Sequence, residues 1–250
     1  MIKVFSFIGS MAGEGSKTAS YSDKLARKLI EKAEGEGEEI SYERITADMI
    51  RSDYCRSCLS CFRSGICPLD EQDDMAMLKE KMLQSDILFF GSPVYMGDMS
   101  AAAKNVIDRI AYWAHRYELA GKPAAVFATT DSSFGKETAE HAAELLNYTG
   151  LVVVHKGYAY REMSLHPNLF LEEDMDPVFE EAAGRLLDAY RSVTSYITGW
   201  DEAKFLSRKL IAARAIKKAE SEGGDAWSEY YVLRDRGILD AKSYVEYLEK

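Results

Sequence analysis

Short apolar runs that each break into a polar loop recur along this chain, and no other feature restricts its fold so strongly. Residues 2–8 (Ile-Lys-Val-Phe-Ser-Phe-Ile) stop at Gly9-Ser10, residues 86–91 stop at Ser92-Pro93, and residues 124–129 stop at Thr130-Asp131. Residues 151–155 form another such run, and residues 40–45 alternate as a half-buried strand does. Helical spacing fills the gaps. Residues 20–33 place Leu25, Leu29 and Ile30 on one face, and residues 73–84 place Met75, Leu78 and Met82 on one stripe. Residues 100–117 read as one long helix and 136–146 as another. Strands alternating with helices at this spacing predict an α/β fold: a doubly wound parallel sheet of five strands, with helices on both faces. Right-handed crossovers leave few strand orders. The loops at 9–18, 92–98 and 129–135 each follow a strand, so they are expected to share the carboxyl edge of the sheet. Ligands of such sheets bind at that edge, where the strand order reverses.

A chain of 250 residues has room for one main domain and an appendage. The pattern changes near residue 196, so the expected division is 1–195 for the α/β domain and 196–250 for a helical C-terminal extension. Segments 199–220, 225–236 and 240–249 read as helices separated by Gly223-Gly224 and Arg236-Gly237. Leu206, Leu210, Ala213 and Ile216 would form the apolar stripe of the first. Such an appendage serves packing or oligomerisation; the sharper alternative is a lid or a docking arm. The net charge of −10 argues against nucleic acid and anionic membrane as partners. Residues 2–8 are too short for a secretory signal or a membrane span, so the expectation is a cytoplasmic chain. In a reducing cytosol cysteines serve metals or redox chemistry rather than disulfides.

All four cysteines fall within thirteen residues, Cys55, Cys58, Cys61 and Cys67, as C-x2-C-x2-C-x5-C followed by Pro68. Free cysteines otherwise scatter through cores as small hydrophobes. The spacing is close to the ferredoxin-type run of thiolates that holds a 4Fe-4S cluster. Structural zinc sites use two separated pairs of ligands and fit less well. A Cys-x-x-Cys dithiol switch is the remaining alternative.

The three loops carry a second chemistry. Gly9-Ser-Met-Ala-Gly-Glu-Gly-Ser-Lys-Thr18 offers amides, hydroxyls and the start of a helix, which suits a phosphate; the plain reading is a strand–helix turn. Ser16 between Gly15 and Lys17 breaks any Walker pattern, so nucleoside triphosphatase activity is not inferred. Ser92-Pro-Val-Tyr-Met-Gly97 displays an aromatic and a thioether directly after a strand, suited to a flat ring. Thr129-Thr-Asp-Ser-Ser-Phe-Gly135 supplies hydroxyls and amides for a polar ring edge. Together the loops fit a mononucleotide with phosphate, ribityl and isoalloxazine parts.

On these motifs the chain resembles the flavodoxin-fold NAD(P)H-dependent FMN reductases, and most closely the iron–sulfur flavoproteins of anaerobic microbes. The residues concerned are Gly9-Ser10 with Ser16-Lys17-Thr18, the cysteine run followed by Asp73-Asp74-Met75, Ser92 to Gly97, and Lys104 with Ile107-Asp108-Arg109, all within about residues 1–160. The first loop departs from the family in having Met11-Ala12 where Pro-Arg is usual. The resemblance implies a flavodoxin-like fold, non-covalent FMN, a 4Fe-4S cluster on Cys55, Cys58, Cys61 and Cys67, and a homodimer or homotetramer. Ser10, Ser16 and Thr18 would hold the phosphate, with Lys17 beside them. Pro93, Val94, Tyr95, Met96 and Gly97 would line the ribityl chain and one ring face; Thr130, Ser132, Ser133 and Gly135 would approach the ring edge.

The implied activity is electron transfer between NAD(P)H or ferredoxin and a small-molecule acceptor. The cofactor carries that chemistry, so no acid–base residue is named. The alternatives are a cluster-free FMN-dependent quinone, azo or nitro reductase and, in another class, a zinc-binding interaction module on the same scaffold. His115, His141, His155 and His166 show no ligand spacing. Asp108-Arg109 reads as an ion pair or cap. Tyr112, Trp113, His115 and Tyr117 suit core, subunit interface or nicotinamide rim equally.

Overall fold

A computed structural model describes residues 1–160 and 172–250. Strand β1 (Ile2–Ile8) leads into α1 (Lys17–Gly35) and β2 (Ile40–Thr46). A long excursion carrying α2 (Ser60–Ser64) returns through α3 (Met75–Gln84) to β3 (Ile87–Tyr95) and the short β4 (Asp98–Met99). Then follow α4 (Ala101–Arg109), α5 (Trp113–Arg116), β5 (Pro123–Thr130), α6 (Gly135–Asn147) and β6 (Val152–Tyr160). The parallel strands lie in the order β2-β1-β3-β5-β6, the doubly wound order whose reversal falls between β1 and β3. The sixth strand, absent from the five expected, is β4. It pairs antiparallel with the end of β3 through a tight turn whose central residues, Met96 (φ 51°) and Gly97 (φ 83°), both have positive φ. The 92–97 segment is therefore largely strand and hairpin rather than loop.

Alternation along the strands sorts the core into two layers. Phe5, Phe7, Leu88, Phe90 and Val126 face α3, α4 and α6, while Val4, Ile8, Phe89 and Phe127 face α1 and α7 (Glu172–Arg191). Helix α7 has no counterpart among the expected elements. Its buried residues Phe179, Ala182, Ala183, Leu186 and Leu187 follow helical spacing, though Pro177 lies within the helix. Strand β6 runs five residues beyond its expected end because it is a half-buried edge strand whose burial alternates. The expected long helix 100–117 is two helices. Arg109, Ile110, Tyr112 and Trp113 are all buried, a face wider than the roughly 100° stripe of a straight amphipathic helix. Bonds of the tight i→i−3 type take over from Ala111 to His115, and Tyr117 ends the run at φ 50°.

Beyond Arg191 come α8 (Gly199–Ser221), α9 (Ser228–Asp235) and α10 (Tyr244–Leu248). The expected stripe on α8 is corrected. Ile216 is buried as expected, but Leu206, Leu210 and Ala213 are exposed; the other buried positions are Asp201, Phe205 and Ala212, one step round the helix. Phe205, Leu233, Ile238 and Tyr244 form a small core of their own that closes on Tyr117. Tyr244 Oη donates to the Gly150 carbonyl (2.7 Å) and accepts from the Gly121 amide (3.0 Å), anchoring the extension to the loops before β5 and β6. Among the described residues no helix is long and apolar enough to cross a membrane.

Candidate functional site

Two constructions share the carboxyl edge of the sheet: a crevice at the β1/β3 reversal and the cysteine-bearing excursion after β2. The crevice encloses about 220 Å³. Ser10, Ser16, Lys17 and Thr18 line it from the first loop, Pro93, Val94 and Tyr95 from β3, and Thr130 from the end of β5. The loops are tied to one another. Ser16 caps α1 by accepting from the Ala19 amide (3.3 Å), so the positive end of a 19-residue helix opens beside the crevice. Thr18 and Thr129 hydroxyls meet at 2.6 Å in the buried floor. Ser100 caps α4 and donates to the Gly9 carbonyl. At Gly9 any Cβ would collide with Ala103, which presses α4 against the loop. Lys17 Nζ pairs with Asp131 at 3.1 Å across the mouth.

Other expected site residues lie outside this lining. Met96 is fully exposed at the tip of the hairpin, and Gly97 packs beneath Phe134. Ser132 and Ser133 sit on the turn beyond Thr130, whose hydroxyl donates to the Ser133 carbonyl (2.9 Å) and accepts from the Ser132 amide (3.3 Å). Gly135 is buried at the start of α6, under Thr130, Tyr158 and Tyr160. Thr129 and Asp131 were missed as lining residues. The signal available was a polar side chain at the end of an apolar strand for Thr129 and directly after it for Asp131.

The cysteine excursion is held from below by buried charge. Arg109, with no exposed side-chain surface, donates to Asp73 (2.5 Å), to Asp70 (2.7 Å) and to the Asp53 carbonyl (2.7 Å). Lys79, 6% exposed, pairs with Asp70 at 2.6 Å. Asp73 also accepts from the amides of Asp53 and Met75, and Asp74 accepts from the Arg51 amide. Asn105 donates to the Ser52 carbonyl. Burial pushes the Asp73 carboxyl up, but hydrogen bonds from Arg109 and these amides outweigh it and hold the group below its usual range. Burial pulls the Arg109 guanidinium down; Asp73, Asp70 and the neighbouring Cys67 more than offset that. The expected Asp108-Arg109 pair is thus corrected: Asp108 pairs with Lys104 one turn away, and Arg109 serves the excursion.

Cys55 and Cys58 are exposed, Cys61 is half-buried in α2, and Cys67 is buried. The Cys61 thiol is pushed up by burial first and then by Cys67, with Lys79 opposing and Cys55 adding a smaller push. The Cys58 thiol is pulled down by the hydroxyl and amide of Ser60. Among the described residues no three His, Cys, Asp or Glu side chains stand close enough to share a metal ion. The donor set nonetheless fits an iron–sulfur cluster in kind. Four thiolates would carry negative charge, Arg109 lies near Cys67 and Lys79 near Cys61, and Arg109 Nε is buried without a hydrogen-bond partner.

The histidines are engaged singly. His115 meets Glu229 (2.9 Å), His141 meets Asp98 (3.1 Å), and His155 accepts or donates at Tyr21 Oη (2.9 Å). Burial lowers the His155 pKa to about 4, so this imidazole is neutral at neutral pH. His166 lies outside the described residues. Tyr112, Trp113 and Tyr117 are core residues, and none of them lines the crevice.

Residues 2–164 match the family described as NADPH-dependent FMN reductase. An iron–sulfur flavoprotein of Archaeoglobus fulgidus is 30% identical over 139 residues, 55% of this chain and 60% of that protein. One from Methanocaldococcus jannaschii is 32% identical over 108 residues, 43% of this chain and 51% of that protein. The matched stretch therefore spans only a little over half the length of these relatives. The solved structure of RosB, with bound 8-demethyl-8-formylriboflavin-5'-phosphate, superposes with a TM-score of 0.59 at 15% identity, over 86% of this chain and 87% of that one. That likeness establishes the fold.

Proposed function

The chain belongs to the NADPH-dependent FMN reductase family, and on that premise we propose that it is an FMN-dependent oxidoreductase with a 4Fe-4S cluster as its second redox centre. It passes electrons between a nicotinamide or ferredoxin donor and a small-molecule acceptor. The observation that carries this reading is the crevice at the strand-order reversal, lined by hydroxyls, a helix start and the edge of β3. The names of the two archaeal relatives support the cluster.

When bound, FMN would supply two-electron exchange with a nicotinamide and one-electron exchange with an iron–sulfur cluster. The protein's part is to bind and orient. Ser10, Ser16 and Thr18, with the first-turn amides of α1, hold the phosphate, while Lys17 balances charge there and at Asp131. Pro93 to Tyr95 form a stiff wall because they belong to a paired strand, and the Met96-Gly97 turn overhangs it. Thr130 lines the crevice and carries the turn on which Ser132, Ser133 and Gly135 would approach the ring edge. Cys55, Cys58, Cys61 and Cys67 would hold the cluster, with Arg109 near Cys67 and Lys79 near Cys61. Residues 1–195 are the flavin-binding unit and 196–250 an added helical unit, in a cytoplasmic homodimer or homotetramer.

A second reading keeps the flavin enzyme without the cluster. Its support is that the four thiols do not stand in one coordination sphere. Titrating the anaerobic protein with FMN while following flavin fluorescence, then adding NADH or NADPH, tests the shared part. Quenching followed by bleaching of the flavin is expected. A chain that leaves FMN fluorescence unchanged overturns both readings.

A further inference from the structure

The cysteine excursion has an inner wall of buried charge and an outer wall built by the C-terminal helices. Cys61 lies in α2, whose Phe62 packs edge-on against His115 of α5, with ring centroids 4.9 Å apart at 72°. His115 Nδ1 meets Glu229 Oε1 of α9 at 2.9 Å, and Glu229 is fully buried. Arg63 of α2 stands 5.9 Å from the ring of Trp227, the residue that precedes α9. The turn that ends α2 is Gly65 (φ 81°), whose carbonyl accepts from Arg116 Nη1 (3.3 Å). Arg236, just past α9, donates to the Arg116 carbonyl (2.9 Å) and pairs with Glu118. A continuous set of contacts thus runs from the segment between the third and fourth cysteines, through α5, to the extension. Cys55 and Cys58, which precede α2, are exposed.

We propose that the C-terminal extension is the outer wall of the cysteine excursion, with Trp227 and Glu229 as positioning residues that hold α2 down. The Cys61 side is thereby less open to small solutes than the Cys55–Cys58 edge. A buried carboxylate is costly unless paired, so the His115 contact fixes α9 in place. The Trp227 ring adds a cation–π and packing contact from the other side. The proposal deepens the cluster reading and rests on it for one consequence only: small solutes reach the cluster from the Cys55–Cys58 edge.

The test uses the full-length apo-protein and iodoacetamide, with labelling of each cysteine followed by peptide mass. In Trp227→Ala and Glu229→Ala, Cys61 is expected to react about tenfold faster, the effect of losing a tie of about 1.4 kcal/mol. Cys55 and Cys58 should react at their original rates, and Trp227→Phe should restore slow labelling of Cys61. Unchanged Cys61 labelling in Trp227→Ala overturns the proposal. So does equal acceleration at all four cysteines, which would mean that the extension supports the whole fold rather than this wall. Should Glu229→Ala fail to fold, the Trp227→Ala and Trp227→Phe pair decides alone. In iron-loaded protein the same Trp227→Ala change should speed iron loss to an anaerobic chelator. A wild-type chain that takes up no iron defeats the cluster reading and leaves the labelling comparison standing.

Discussion

The crevice and the cysteine excursion lie on the same edge of one sheet but are built by opposite means. The crevice loops leave strands directly, are short, and are joined by buried neutral hydroxyl contacts such as Thr18 to Thr129, with an exposed ion pair, Lys17 to Asp131, at the mouth. Their positions follow from the sheet. The excursion runs from the end of β2 to α3 with only one short helix, and ionic contacts hold it: Arg109 to Asp73 and Asp70, Lys79 to Asp70, and Asp73 to the Asp53 amide. A site borne on strands inherits its geometry. A site borne on a long excursion must import its rigidity from charges beneath and helices outside.

That contrast breaks most sharply at Arg109. Arg109→Met leaves Asp73 without its buried cation and Asp70 with Lys79 alone, and should destabilise the protein by about 3–5 kcal/mol in urea unfolding, among the largest single effects expected. Acid titration sharpens the same point. Because Asp73 ionises below its ordinary range, its pairing stabilises the fold fully above about pH 4 and is lost as pH falls through the lowered folded value. Arg109→Met should flatten that acid-side slope. Next in size, Thr18→Val should weaken FMN binding about tenfold by fluorescence titration, through loss of the phosphate contact proposed for Thr18, with iron content unchanged. Smallest is Asp131→Asn. Removing the carboxylate that pairs with Lys17 should tighten FMN binding by about two- to fivefold at low salt and less at high salt.

The same contrast explains what could be read from the residues alone. The strands β1, β3 and β5 were legible because each is a buried run cut off by a turn signal, and their loops fell on the crevice as a consequence. Edge strand β6 was shortened because alternating burial dilutes its apolar signal. The β4 hairpin was hidden because the Met96-Gly97 turn resembles any glycine loop. The partners of Arg109 lie 36 and 39 positions away, and no local pattern encodes them, whereas its neighbour Asp108 suggests a local pair. The apolar stripe of α8 was misplaced because both Leu206 and Phe205 suit a core, and tertiary packing against Tyr117 selected Phe205.

The central claim is that one chain carries two separable redox sites. Anaerobically prepared wild-type and Cys58→Ser proteins should be assayed together for FMN, iron and acid-labile sulfide. About four irons and four sulfides per chain with bound FMN are expected in the wild type, and in Cys58→Ser loss of iron and sulfide with FMN retained. Wild-type protein that binds FMN but no iron contradicts the second centre. Loss of FMN together with iron in Cys58→Ser contradicts the independence of the two sites.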